Sequence, residues 1–152
     1  MIAAGEPFPD FRLDAHDGST VGATELRGHP YLLYFYPKAE TPVCTREACS
    51  FRDAWEELRA AGVEVLGVSF DSPAANRAFA EHHGLPFRLL TDRGGHLARA
   101  AGAKMPLLPL PWRISYLVGA DGRVHKAYPQ IDPRRHPREV LQDARTLAEK
   151  GE

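Results

Sequence analysis

Residues 31–44, YLLYFYPKAETPVC, decide the fold of this chain. Tyr31–Tyr36 is an unbroken run of six apolar and aromatic residues. A strand with one wet face alternates apolar and polar side chains. A continuous run marks a strand buried on both faces, as in a sheet covered by helices. Pro37 ends the run because proline offers no N–H to a ladder. The period then changes. Within Thr41–Ala60, Ala48, Phe51, Trp55 and Leu58 recur at spacings of three and four, which puts them on one helical face. Pro42 is tolerated near the start because the first helical N–H groups lack partners. Gly62 stands where a C-cap glycine belongs.

The same alternation continues outward. Upstream, Phe11–Leu13 and Thr20–Val21 predict a hairpin turned at Asp17-Gly18. Downstream, Val63–Phe70 is a strand, and Ser72-Pro73 opens a helix to about His83 that Gly84 closes. Phe87–Leu90 is a short strand and Gly95–Ala101 a short helix. Ile114–Val118 and Arg123–Tyr128 form a hairpin about Asp121-Gly122. Arg138–Lys150 is a closing helix with Val140, Leu141, Ala144 and Leu147 as its apolar stripe. Strands alternating with helices predict an α/β structure with a central sheet flanked by helices, and the two hairpins make that sheet mixed. One stretch is irregular. Ala103–Trp112, AKMPLLPLPW, holds three prolines that forbid a helix, yet it is too apolar for a solvated loop. Such a segment covers the core, a pocket or a partner.

At 152 residues, with 43% hydrophobic and 26% charged side chains, the chain fits one globular domain over residues 1–152. A domain of that size needs neither disulfide staples nor a structural metal. The net charge of -1 excludes binding of nucleic acid through an overall basic field. No apolar run is long enough to span a bilayer. The start, MIAAGEPFPDF, lacks a basic region and an apolar core of the kind that directs secretion. The expected location is the cytoplasm, where thiols stay reduced, so the two cysteines need a role other than a permanent bridge.

Cys44 falls in the first turn of the helix, at the carboxyl edge of the sheet, where α/β proteins bind ligands. The partial positive charge of a helix start favours thiolate, the nucleophilic form. Thr41 is the natural N-cap, and its hydroxyl is equally placed to face a ligand beside the sulfur. Cys49 lies five residues on, about 7.5 Å along the axis and about 140° around it. The Cα atoms are then roughly 8–9 Å apart, beyond the ~7 Å limit for a disulfide. A bridge requires the first turns of the helix to unwind, which suits a reaction cycle better than a staple. The C-x4-C spacing also differs from the C-x2-C of dithiol oxidoreductases and most zinc sites.

The segment YFYPKAETPVCTREACSFRD closely resembles the active-site segment of the peroxiredoxins, specifically the bacterioferritin-comigratory-protein or peroxiredoxin Q subfamily. Pro37, Thr41 and Cys44 meet its P-x3-T-x2-C pattern, and Cys49 meets its second cysteine. The resemblance runs on through residues 70–92 and through Arg113 with its hairpin. It implies a thioredoxin-like fold with an N-terminal β-hairpin extension. It implies that Cys44 attacks the peroxide O–O bond and becomes a sulfenic acid, and that Cys49 resolves this acid to an intramolecular disulfide. It further implies that Thr41 hydrogen-bonds the peroxide, that Pro37 shields the sulfenic acid, and that Arg113 stabilises charge on sulfur and oxygen. Glu47 and Arg52 match positions that hold the site. The implied partners are hydrogen peroxide or an organic hydroperoxide and a thioredoxin-like dithiol reductant; the implied role is antioxidant defence by a monomer without cofactor or metal. Val43 replaces a common glycine, and Ala103–Trp112 is richer in proline than the family's segment before the arginine.

Two other readings keep a distinguishing test. A disulfide oxidoreductase acting on protein thiols reduces insulin without peroxide. A non-catalytic binding module docking through Ala103–Trp112 forms no sulfenic acid. Other signals carry little. His82-His83 are neighbours on a helix, about 100° apart, and are expected to be helix-end surface and not to share a metal. Asp71 and Asp92 each precede a helix or turn and are expected to cap it. Arg134, Arg135, His136 and Arg138 predict a solvated basic loop, and Gly94-Gly95 a plain turn.

Overall fold

The apolar run sits near the middle of a seven-stranded sheet in the computed structural model, which describes residues 1–149. In chain order the elements are β1 Arg12–Ala15, β2 Thr20–Gly22, α1 Ala23–Leu26, β3 Tyr31–Phe35, α2 Pro42–Ala60, β4 Glu64–Ser69 and α3 Pro73–His83. They continue with β5 Arg88–Thr91, a 3₁₀ turn at Arg93–Gly95, α4 His96–Ala100, β6 Ser115–Val118, β7 Val124–Tyr128 and α5 His136–Glu149. The strand order is β2-β1-β5-β4-β3-β6-β7. The inner strands β3, β4 and β5 are parallel, and every other pairing is antiparallel, which makes the sheet mixed. The last residue expected in the closing helix, Lys150, lies outside the described residues. Among those described, no helix is long and apolar enough to cross a membrane.

All five residues of β3 are buried. Successive side chains serve opposite faces. Tyr31, Leu33 and Phe35 join Leu66, Val68, Leu90 and Tyr116 in a core closed by Phe8, Phe11 and α4. Leu32, Tyr34 and Tyr36 join Val65, Leu89 and Leu117 under α2, α3 and α5. Gly67 of β4 pairs with Tyr34, and a Cβ there would meet Leu89 Cδ2 at 2.8 Å and Tyr34 Cζ at 3.0 Å. The aromatic ring fills the space a side chain would need. Gly84 closes α3 in the left-handed conformation, at φ 60°.

The structure adds one element and changes two expectations. The single turn α1 has four residues, barely more than one 3.6-residue period, so no apolar spacing can repeat within it to announce it. Ala103–Trp112 folds on itself and not over the core: Lys104 bridges to Pro111, and Lys104 Nζ donates to the Met105 and Leu108 carbonyls. Leu107 is 93% exposed and Trp112 46%, while Ala103 at the base is buried. The segment read as a solvated basic loop contains a fully buried residue, His136, the first residue of α5. Its ring meets Phe51 and Tyr128 edge-on, and its Nε2 lies 2.9 Å from Ser115 Oγ. Desolvation pushes its pKa down to about 4, so it stays neutral as a packed aromatic ring.

Candidate active site

The chain leaves the sheet at Tyr36, whose hydroxyl donates to Asn76 Oδ1. Residues 37–41 then turn into α2. Asp71 holds this loop: its Oδ2 accepts the Ala39 N–H at 2.9 Å and the Ser69 hydroxyl at 2.8 Å. Asp71 is therefore not the cap of α3. Ser72 is, accepting from the Ala75 N–H at 3.1 Å. Asp92 does act as a cap, receiving the Leu97 and Ala98 N–H groups at the start of α4.

Thr41 is the N-cap of α2 by backbone, but its hydroxyl donates to the Lys38 carbonyl at 2.7 Å and caps nothing. Pro42 has no N–H. The next two amides, of Val43 and Cys44, are left at the open positive end of a 19-residue helix. Cys44 is 1% exposed there, and Arg113 Nη1 donates to its Sγ at 3.0 Å. Arg113 is fixed by its neighbour: the Ile114 carbonyl accepts the Phe35 N–H at 2.8 Å, so the arginine leaves the sheet beside the strand that ends at the loop. Pro37 is half-buried at that strand end, and Val43 beside the cysteine is exposed. The structure thus brings Arg113 to Cys44, with Thr41 at the cap of the same helix and Pro37 just beyond the end of the strand before it.

Glu47 belongs to the same cluster. It is fully buried one turn below Cys44, 3.8 Å from Arg113 Nη1, and neither carboxylate oxygen has a hydrogen-bond partner. Burial pushes its pKa up to about 8, with Arg113 pulling the other way. At neutral pH it keeps its proton, so it leaves the guanidinium charge free to act on the sulfur. The Tyr34 hydroxyl is also buried without a partner, and burial foremost, then Glu47, raises its pKa. Arg52 lies elsewhere: its Nη1 donates to the His83 carbonyl at 2.8 Å and ties α2 to the end of α3. Cys49 is half-buried, and both thiols are free on an unbroken helix, as the spacing requires.

The raised pKa of Glu47 has a thermodynamic consequence. Between the ordinary carboxyl value of 4.5 and about 8, the folded protein holds a proton that the unfolded chain has lost. Stability falls with rising pH wherever the native state binds more protons. Glu47→Gln is therefore expected to remove a decline in melting temperature between about pH 5 and pH 8, and to be the more stable protein at pH 8.5. Parallel pH profiles of the two proteins in thermal melts contradict this.

His82 and His83 do not diverge as neighbours on a helix are expected to. Their ring centroids are 4.1 Å apart, and both rings reach Glu40 of the loop. One imidazole turns its near nitrogen and the other its far nitrogen, and this difference in reach overcomes the rotation between them.

The sequence model of the AhpC/TSA family matches residues 4–127. Chloroplastic peroxiredoxin Q of Gentiana triflora is 41% identical over 142 residues, covering 92% of this chain and 65% of the relative. That of Triticum aestivum is 40% identical over 148 residues, covering 96% and 68%. The chain thus spans about two thirds of the length of these relatives. Among solved structures, peroxidoxin BcpB from Mycobacterium tuberculosis superposes with a TM-score of 0.90 at 30% identity, over 97% of this chain and 99% of that one. Xanthomonas campestris peroxiredoxin Q superposes with a TM-score of 0.89 at 28% identity, over 95% and 98%. With the family match spread over most of the sequence and the fold shared from end to end, this chain belongs to the AhpC/TSA family, on the peroxiredoxin Q and bacterioferritin-comigratory-protein side of it.

Proposed function

We propose that the chain is a thiol-dependent peroxidase that reduces hydrogen peroxide and organic hydroperoxides in antioxidant defence. The observation that carries this reading is the Arg113 guanidinium 3.0 Å from a buried Cys44 sulfur at an uncapped helix start. The similar Xanthomonas campestris bacterioferritin comigratory protein is described by its alkyl peroxide reduction activity, which supports the same substrate class here.

The Cys44 thiolate attacks one peroxide oxygen. An S–O bond forms, the O–O bond breaks, and its electron pair leaves with the second oxygen, which takes a proton and departs as alcohol or water. The Thr41 hydroxyl spends its proton on Lys38, so its oxygen accepts the peroxide O–H. Arg113 stabilises charge on sulfur before attack and on the leaving oxygen during it. Pro37 limits water at the new sulfenic acid. Cys49 sulfur then attacks the sulfur of that acid, a disulfide forms, and water leaves. For this the first turns of α2 must unwind. A thioredoxin-like dithiol restores both thiols by exchange and is itself oxidised. No second chain is needed, so a monomer suffices, and a reducing cytoplasm supplies the dithiol.

Cys49→Ser tests the scheme. With peroxide it is expected to react once, to hold a Cys44 sulfenic acid that dimedone traps, and to lose turnover with thioredoxin by about tenfold or more. Mass spectrometry of the adduct and a steady-state peroxide assay read both. No trapped adduct sinks the peroxidase reading; undiminished turnover sinks the resolving role.

A further inference from the structure

We propose that Glu40, His82 and His83 form a binding site for a divalent transition-metal cation of the zinc class, and that the bound ion cross-links the reactive loop to the end of α3. No hydrogen bond or ion pair among the described residues links these three side chains to Cys44 or to the Arg113 side chain. One ligand atom from each residue lies within 4.8 Å of the others. His82 Nδ1 is 3.0 Å from Glu40 Oε2, and His83 Nε2 is 2.9 Å from Glu40 Oε1. Around a tetrahedral zinc with bonds of about 2.0–2.1 Å, neighbouring donor atoms are roughly 3.3 Å apart. The two nitrogen–oxygen distances are therefore within about half an ångström of coordination distances, and the two ligand nitrogens lie within 4.8 Å of each other. Two imidazoles and one carboxylate suit zinc, cobalt, nickel or copper, and not magnesium or calcium.

The surroundings fix the donors from two directions. His83 sits at the end of α3, its carbonyl held by Arg52 and its ring edge-on to Phe79 at 5.3 Å. Glu40 is held at φ 64°, the one non-glycine with positive φ among the described residues. An unprotonated imidazole nitrogen and a carboxylate oxygen repel at such distances unless a proton or a cation lies between them. A single ion satisfies both nitrogens at once. The side chains of Glu40 and His82 are 44% and 66% exposed, so an ion enters from solvent and water completes its shell.

The second half of the inference rests on the peroxidase reading. Glu40 is four residues before Cys44, in the segment that must rearrange when α2 unwinds to let Cys49 reach the sulfenic acid. An ion shared by Glu40 and α3 resists that rearrangement. It therefore slows disulfide formation and lengthens the life of the sulfenic acid. An ion that binds the intact helix more tightly than the unwound form is, by linkage, bound more weakly once the disulfide has formed.

Zinc chloride titrated calorimetrically into the Cys44→Ser/Cys49→Ser protein tests the site without thiol ligands. One zinc per chain is expected, with affinity reduced at least ~10-fold by His82→Ala and by Glu40→Gln, both exposed enough to spare the fold. No uptake by the double-serine protein, or unchanged affinity in either variant, overturns the site. The disulfide form, made with one equivalent of peroxide, also has no thiol left to bind zinc. Its affinity is expected to be at least ~10-fold weaker than that of the double-serine protein, and equal affinity overturns the cross-link. The first titration needs no peroxide chemistry, so failure of the metal site and failure of the peroxidase reading are distinguishable.

Discussion

Cys44→Ser is expected to fold normally and to lose peroxide consumption by about 10³-fold or more, the scale on which an enzyme suffers when its nucleophile is removed. The fold survives because the change is nearly isosteric in a site that already suits a hydroxyl. Serine is at home in the first turn of a helix, and Arg113 Nη1, now 3.0 Å from the sulfur, can donate to Oγ instead. Activity does not survive, because a serine hydroxyl is not ionised near neutral pH. It also lacks the soft, polarisable electron pair that attacks a weak O–O bond. The measurement is peroxide loss in the presence of a dithiol reductant, beside a circular dichroism melt of the same sample. A native melt with no peroxide loss is the expected pair. Retained consumption places the chemistry elsewhere in the chain, and a retained partner interaction with no consumption in either protein favours the docking module.

The centre of the fold was legible because its signals are local. Tyr31–Tyr36 declares a strand buried on both faces by composition alone, and the spacing of Ala48, Phe51, Trp55 and Leu58 declares the helix after it. Cys44 follows from those two, since a helix start at a sheet edge is a chemical position as well as a structural one. Glu47 also left a trace. It shares the buried spacing of Cys44, Ala48 and Phe51, so a carboxyl on an apolar face was readable from the period of α2.

Other features depend on pairs distant in sequence. Arg113 meets Cys44 across 69 residues, and only the register that pairs Tyr34 with Ser115 brings them together. The residues alone could not supply that register; the resemblance did. Asp71 looked like a cap because it precedes a helix, and Ser72 took that place by one residue, freeing the carboxylate for the loop. Glu40 meets His82 across 42 residues, from a backbone conformation that glutamate rarely adopts. Ala103–Trp112 was legible as stiff and apolar, but stiffness does not say which way a loop faces. The Lys104 hydrogen bonds to its own loop decide that it projects.

Arg113→Ala is expected to lower the rate constant for the reaction of peroxide with Cys44 by roughly 10²–10³-fold, the range measured for removing one preorganised donor to a developing oxyanion. Three features put the effect in that range. The guanidinium is at hydrogen-bond distance from the sulfur. Its side chain is only 25% exposed, so solvent screens its charge weakly. Its nearest acidic neighbour, Glu47, holds a proton at neutral pH and does not cancel it. The open end of α2 remains in the variant and sets the residual rate. Arg113→Lys separates charge from geometry. An ammonium restores the charge but not the planar fork that serves sulfur and oxygen together, so recovery is expected to be partial. Stopped-flow fluorescence of Trp55 or Trp112 against peroxide concentration gives the rate constants directly. A loss below about tenfold in Arg113→Ala assigns the activation of Cys44 to the helix end instead, because the first-turn amides are then the remaining source of positive potential at the sulfur.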